Sequence, residues 1–231
     1  MNNPSKILAI DTVTEGCSAA LWIEGEIVEQ FEETPRGHTQ RILPMVDQLL
    51  SEAGCSLKEL DAIAYDRGPG SFTGLRITAG MVQGLAYGAD LPVVAVSSLA
   101  ALAYAQFQQD QSSTVLAAID ARMGEVYWGA YRIEADGEPV LQGEEVVIAP
   151  ALCAEVSGEW VGVGSGWGSY QEALEQRFQG QLSAIHALAL PHAAAVASLG
   201  VIYLRRGALL SAEQVQPLYL RNNVAHQQRK K

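Results

Sequence analysis

Two groups of residues in this 231-residue chain could do chemistry. The first is a glycine-rich run, Arg67-Gly-Pro-Gly-Ser-Phe-Thr-Gly-Leu-Arg76. Gly68 and Gly70 flank a rigid Pro69, which suits a tight turn with unusual backbone angles. Ser71 or Thr73 can cap a helix that starts there, with Phe72, Gly74 and Arg76 in its first turns. A helix N-terminus behind a glycine loop offers free N–H groups to an anion. A plain strand-to-helix turn would use the same residues. The run lacks the Gly-Lys-Ser/Thr ending of a Walker A sequence, so it is not the loop of a P-loop ATPase. The second group is a pair of aspartates, Asp11 and Asp120, each closing an apolar strand: Ile7-Leu-Ala-Ile-Asp11 and Leu116-Ala-Ala-Ile-Asp120. Facing each other across a cleft, they could hold a hydrated magnesium ion as the vestige of a nucleotide site. Singly, such aspartates brace the turn that follows. Val13 and Arg122 stand where a phosphate-binding hairpin wants glycine, and a bulky side chain there hinders close backbone approach to phosphate.

Other chemistries find little support. The histidines, His38, His186, His192 and His226, form no i, i+3 or i, i+4 pair, so no helical metal clamp is present. His38 reads as a helix-entry residue. Cys17, Cys55 and Cys153 are widely spaced and odd in number, against a disulfide framework or a cysteine zinc site. There is no G-x-S-x-G elbow and no C-x-x-C motif.

The elements that must position these residues read as a repeat. After Asp11 and after Asp120 a short turn leads into a second strand, at Cys17–Ile23 and Glu125–Ile133, which suggests a duplication. In the first half, strands fit Lys6–Asp11, Cys17–Ile23, Glu26–Glu33, Ala62–Arg67 and Val93–Ser97. Helices fit His38–Ala53, Ser71–Tyr87 and Ser98–Gln109. The order βββαβαβα implies a mixed sheet covered by helices, a ribonuclease-H-like unit. In the second half, strands fit Val115–Asp120, Glu125–Ile133, Glu144–Ala149 and Trp160–Val163. Helices fit Ala151–Val156, Gly168–Phe178 and Pro191–Arg206. The seam is placed near Gln106–Ser113. This gives an N-terminal lobe at 1–105, a reduced second lobe at 106–215 and a C-terminal segment with a basic tail at 216–231.

Two helices have surface to spare. On the first, Ile42, Met45, Val46 and Leu49 belong to an apolar arc of about 160°, wider than packing on one sheet needs. On the second, Gly80, Gly84 and Gly88 share one face, and each interior glycine costs about 1 kcal/mol against alanine. The face serves either close packing on the chain's own sheet or a contact with another subunit.

Bulk properties narrow the setting. The chain is 48% hydrophobic and 18% charged, with net charge −11. An acidic chain is a poor match to a phosphate backbone, so any service to nucleic acid would run through a partner. No signal-peptide core or membrane span is read, which points to the cytoplasm.

At this point the motifs resemble a family. Ile7-Leu-Ala-Ile-Asp-Thr12, His38-Thr-Gln-Arg-Ile-Leu-Pro44, Arg67 to Arg76, Ile119-Asp-Ala-Arg-Met-Gly-Glu-Val-Tyr127 and Pro217-Leu-Tyr-Leu-Arg-Asn-Asn223 look like the bacterial TsaB (YeaZ) proteins. The resemblance implies an α/β actin/Hsp70-like (ribonuclease-H-like) duplicated two-lobed fold, with mixed sheets flanked by helices. It also implies a role in making threonylcarbamoyladenosine next to the tRNA anticodon. In that family the transfer chemistry belongs to a paralogue, TsaD, which binds a metal through an H-x-x-x-H motif. By alignment Ser98 and Leu102 occupy those two positions here, and leucine cannot ligate a metal. The expectation is a non-catalytic subunit with no cofactor of its own, ATP or ADP entering only in the assembled complex. Its partners would be TsaD and the ATPase TsaE, with tRNA reached indirectly. The surface formed by the first two helices, at Ile42, Met45, Val46, Leu49, Gly80 and Gly84, would carry the pairing and would support a homodimer when TsaD is absent. An independent kinase of the same fold and a metalloprotease are the alternatives.

Overall fold

The computed structural model describes residues 5–34 and 36–221. The basic tail at Arg229-Lys-Lys231 lies outside the described residues. In chain order the elements are β1 (Lys6–Asp11), β2 (Gly16–Ile23), β3 (Glu26–Glu33), α1 (His38–Glu52), β4 (Ala62–Asp66), α2 (Phe72–Ala89), β5 (Val93–Val96) and α3 (Ser98–Asp110). The second half continues with β6 (Thr114–Asp120), β7 (Val126–Ile133), β8 (Pro139–Leu141), β9 (Val146–Ile148), β10 (Trp160–Val163), α4 (Ser165–Ser169), α5 (Gln171–Arg177), β11 (Leu182–His186) and α6 (Ala193–Arg205).

The duplication is visible in the strand order. The first sheet runs β3-β2-β1-β4-β5 and the second runs β8-β7-β6-β10-β11, with β9 also on β7. In each, the hairpin strands pair antiparallel and the last two strands join parallel. This is the expected actin-like plan of two ribonuclease-H-like units.

Strand periodicity splits each sheet between two cores. From β1, Ile7 and Ala9 point into a central layer, while Leu8 and Ile10 point to the outer face. The central layer is α3 and α6, packed between the sheets with Leu99, Leu102, Val196 and Leu199 buried. The helix α6 comes late in the chain, yet it lies on β1, β2 and β4 of the first sheet. Gly200 permits that approach, because a Cβ there would stand 2.7 Å from that of Ala64. The outer face of the first sheet is covered by α1 and α2, and that of the second by Trp167, Leu174 and Phe178. No described helix is long and apolar enough to cross a membrane.

Three second-half expectations are corrected. The helix expected at Ala151–Val156 is only a single 3-10 turn at Pro150–Leu152. Cys153 leaves helical angles there, and its carbonyl accepts from Arg177 Nε at 2.8 Å. The helix expected at Gly168–Phe178 breaks at Tyr170 (φ −132°, ψ 37°) into α4 and α5. The strands β8 and β11 were not expected.

Candidate functional site

The glycine loop fits against the β1–β2 turn. A Cβ on Gly70 would stand 2.4 Å from the Val13 carbonyl oxygen, and one on Gly74 would stand 2.0 Å from that of Thr12. Both distances are impossible for a real side chain, so these glycines exist for backbone contact within the chain. The contact is hydrogen-bonded as well. Ser71 N–H donates to the Val13 carbonyl at 2.7 Å. Thr12 Oγ1 donates to the Gly74 carbonyl at 2.9 Å, and Thr12 N–H donates to Thr78 Oγ1 at 3.1 Å. Ser71 is the helix cap, accepting from Gly74 N–H at 3.4 Å. Thr73 is exposed, and Arg76 lies 3.8 Å over the Phe72 ring. Gly68, with φ +100°, and Pro69 shape the turn before the cap.

The two aspartates occupy different environments. Asp120 lines a cleft of about 1190 Å³ between the halves, together with Thr14, His38, Arg122 and Arg221. Its Oδ1 accepts from Arg122 N–H and Tyr170 Oη, and its Oδ2 pairs with Arg122 Nη1 at 2.9 Å. Arg122 reaches on to Glu15 at 3.3 Å and so spans the cleft mouth. Asp11 is buried and does not line the cleft. Its Oδ1 accepts from Val13 N–H at 2.9 Å, and its Oδ2 is buried without a partner among the described residues. Burial, then the neighbouring Asp66, pushes its carboxyl well above the usual carboxylate range. The shared magnesium site is therefore corrected: Asp120 is paired with Arg122, and Asp11 is buried away from the cleft. Of the N–H groups behind the glycine loop, that of Ser71 is already bound to the Val13 carbonyl. His38, expected only at a helix entry, also ties α1 to this turn through Nε2 and the Thr14 carbonyl at 3.0 Å.

Sequence reading missed a polar cluster where the halves meet. Asp66 closes β4, as Asp11 closes β1, and its Oδ1 accepts from Ser98 Oγ at 2.6 Å and from Gly68 N–H at 2.7 Å. Burial pushes its carboxyl up to about 7, against the lowering effect of those two bonds. Beside it, Glu145 accepts from Tyr131 Oη at 2.5 Å and from Ser97 Oγ, and pairs with Arg67 at 3.4 Å. Asp66 carried a signal, an apolar strand ending in aspartate before a turn. Glu145 carried none, because its partners come from the other half. Ser98 donates to Asp66, and Leu102 is buried in the central core.

The helix surface divides sharply. Ile42, Met45, Val46 and Leu49 are buried in the outer core of the first sheet. Their assignment to a partner interface is corrected, because a partner could touch them only by opening that core. Gly80, Gly84 and Gly88 are the reverse: they are exposed, and a Cβ on any of them would meet nothing within 4 Å. Packing on the chain's own sheet does not account for them. Tyr87, 72% exposed, lies on the same helix, and Leu43, 44% exposed, lies on α1.

Comparison with known proteins adds relatives. The family model described as "TsaD: tRNA N6-adenosine threonylcarbamoyltransferase" matches residues 30–228. The tRNA threonylcarbamoyladenosine biosynthesis protein TsaB of Escherichia coli (strain K12) is 45% identical over 226 residues, covering 95% of this chain and 96% of that one. Its namesake in Haemophilus influenzae is 40% identical over 227 residues, covering 94% of each. Among solved structures, YeaZ from Pseudomonas aeruginosa superposes with TM-score 0.88 at 48% identity, over 94% of this chain and 100% of that one.

Proposed function

This chain belongs to the TsaB family of tRNA threonylcarbamoyladenosine biosynthesis proteins, and from that premise we propose that it is a non-catalytic subunit that binds and activates a TsaD-type transferase, with TsaE joining the assembly. The observation that carries this is the open glycine face of α2. Three interior glycines weaken a helix by about 1 kcal/mol each, and in the isolated chain nothing packs into the space they leave. A helix of another subunit approaching closely over Gly80 and Gly84, with exposed Tyr87 on the same helix, would recover that cost. TsaD, as a paralogue with a related first lobe, can present such a helix, and a second copy of this chain can do so in its absence.

The rest of the site supports the same role. Asp11 and Asp66 are buried, Asp120 is held by Arg122, and the glycine loop is sealed against its own hairpin. Among the described residues no group of three or more His, Cys, Asp and Glu side chains could hold a metal ion. On this reading the chain has no cofactor of its own, and ATP or ADP enters only in the assembled complex. With net charge −11 it reaches tRNA through its partner, in the cytoplasm.

The test is reconstitution of threonylcarbamoyl transfer with purified TsaD and TsaE, with and without this chain. Transfer should require the chain, and the chain alone should transfer nothing. Gly84→Arg should leave the fold intact by circular dichroism and abolish co-purification with TsaD and any homodimer by light scattering. Met45→Glu should instead lower thermal stability, because that side chain is core. Wild-type pairing by a folded Gly84→Arg variant would place the interface elsewhere.

A further inference from the structure

A second cavity, of about 480 Å³, opens between the two halves and shares no lining residue with the Asp120 cleft. That volume is within the roughly 300–1,000 Å³ of small-molecule sites. Its polar lining comes from both halves: Arg67 and Ser97 from the first, Tyr131 and Glu145 from the second, with Tyr203 from α6. Leu141 and Leu209 add apolar wall.

The polar groups are only partly used. Arg67 presents a fork of N–H donors, of which its side chain spends one among the described residues, on Glu145 at 3.4 Å. Its side chain is 36% exposed. Glu145 Oε1 takes both hydroxyl donors, whereas Oε2 has only that long contact with Arg67. The Tyr203 hydroxyl has no hydrogen-bond partner among the described residues and can donate or accept. A partly exposed cation and the carboxylate oxygen that it meets only at 3.4 Å therefore stand side by side in one cavity.

We propose that this cavity binds a small free α-amino acid, with its carboxylate on Arg67, its ammonium on Glu145 Oε2 and Tyr203 Oη, and its side chain against Leu141 and Leu209. A phosphate would bring two negative charges beside Glu145, and a simple amine would offer nothing to the remaining donors of Arg67. A zwitterion satisfies both groups, and arginine is suited to planar carboxylates. Because both halves contribute, the bound amino acid would also fix one half against the other.

The whole chain is titrated with each of the twenty standard amino acids by calorimetry and saturation-transfer NMR. At least one should bind with a Kd below about 1 mM. Its N-acetyl derivative and its methyl ester should each bind at least about tenfold more weakly, as should the Arg67→Met variant, since charge-assisted bonds are lost. Ala208 is exposed and lines the mouth, so Ala208→Trp should block entry without touching a core. It supplies the test if Arg67→Met does not fold by circular dichroism. Absence of binding for all twenty at about 10 mM, equal binding of the N-acetyl derivative, or wild-type binding by folded Ala208→Trp would overturn the proposal.

Discussion

In the first half the strand ending at Asp11 turns through Thr12 and Val13; in the second the strand ending at Asp120 turns through Ala121 and Arg122. Both turns begin with the same bond, from the N–H two residues on to the aspartate Oδ1, at 2.9 Å and 2.8 Å. They part in what covers them. In the first half Gly70 and Gly74 press on the turn residues themselves, Val13 and Thr12. In the second, Gly164 and Gly166 press instead on Ala118, inside the strand. That small displacement leaves the second turn open, with Arg122 and Met123 exposed. Burial pushes the carboxyl of the first aspartate up, whereas the second is paired with an arginine. One local motif thus gives a rigid joint in one half and a polar cleft wall in the other.

The largest effect should come from breaking the sealed joint. Gly74→Val would drive a side chain into the Thr12 carbonyl, where even a Cβ would stand at 2.0 Å. Relief requires α2 to lift from the β1–β2 turn, losing the Thr12–Thr78 contact and the Ser71 bond to Val13. The expected cost is about 3 kcal/mol or more, read as a lower urea midpoint. Gly124→Ala, in the open turn, meets nothing within 4 Å and bears only the strain of its φ of +82°, about 1 kcal/mol. Equal costs at the two positions would erase the contrast between the turns.

A second contrast is in pH. Asp66 is pushed up to about 7 and Asp11 is raised as well, both chiefly by burial. An unfolded aspartate releases its proton near pH 4. Between these values the folded chain holds protons that the unfolded chain has lost, so rising pH favours unfolding. The stabilisation is complete below about pH 4 and is lost as pH rises through about 7. Asp66→Asn keeps an acceptor for Ser98 and Gly68 and carries no titrating proton. Its stability relative to wild type should therefore increase between pH 5 and pH 8, by on the order of a few kcal/mol. Parallel stability curves for the two proteins would mean that Asp66 does not hold a proton in the folded chain.

What was legible in the sequence follows the same division. The first half could be read almost element by element because its strands are mostly short apolar runs bounded by turn residues, and Gly54 follows the end of its first helix. Short strands escaped: β8 has three residues, and β11 reads Leu-Ser-Ala-Ile-His with little alternation to distinguish it. The glycine loop was visible as a motif, but its partner was not, since Thr12 and Gly74 meet only in the fold. The wide arc on α1 held a true signal wrongly assigned. Ile42 and Leu49 cover the outer face of the first sheet, and the unpartnered surface belongs to the glycines of α2. Helical periodicity shows which residues share a face, not which face meets the sheet.

The smallest effect should come from the open turn's arginine. Arg122 bridges Asp120 at 2.9 Å and Glu15 at 3.3 Å, yet its side chain is 74% exposed. Exposed ion pairs contribute about 0–1 kcal/mol, since solvent screens them and the long side chain loses entropy on pairing. Arg122→Ala should therefore lower stability by less than about 1 kcal/mol, and the difference from wild type should vanish near 1 M salt, where the screening length is only about 3 Å. Tyr170 and Ser169 still donate to Asp120 in the variant, so its carboxylate stays hydrogen-bonded when the cation is gone. Urea titrations at low and high salt read this directly. A loss as large as that from Gly74→Val, or one that salt does not remove, would show that Arg122 holds the halves together. The second turn would then be a structural joint like the first, sealed by charge where the first is sealed by backbone contact.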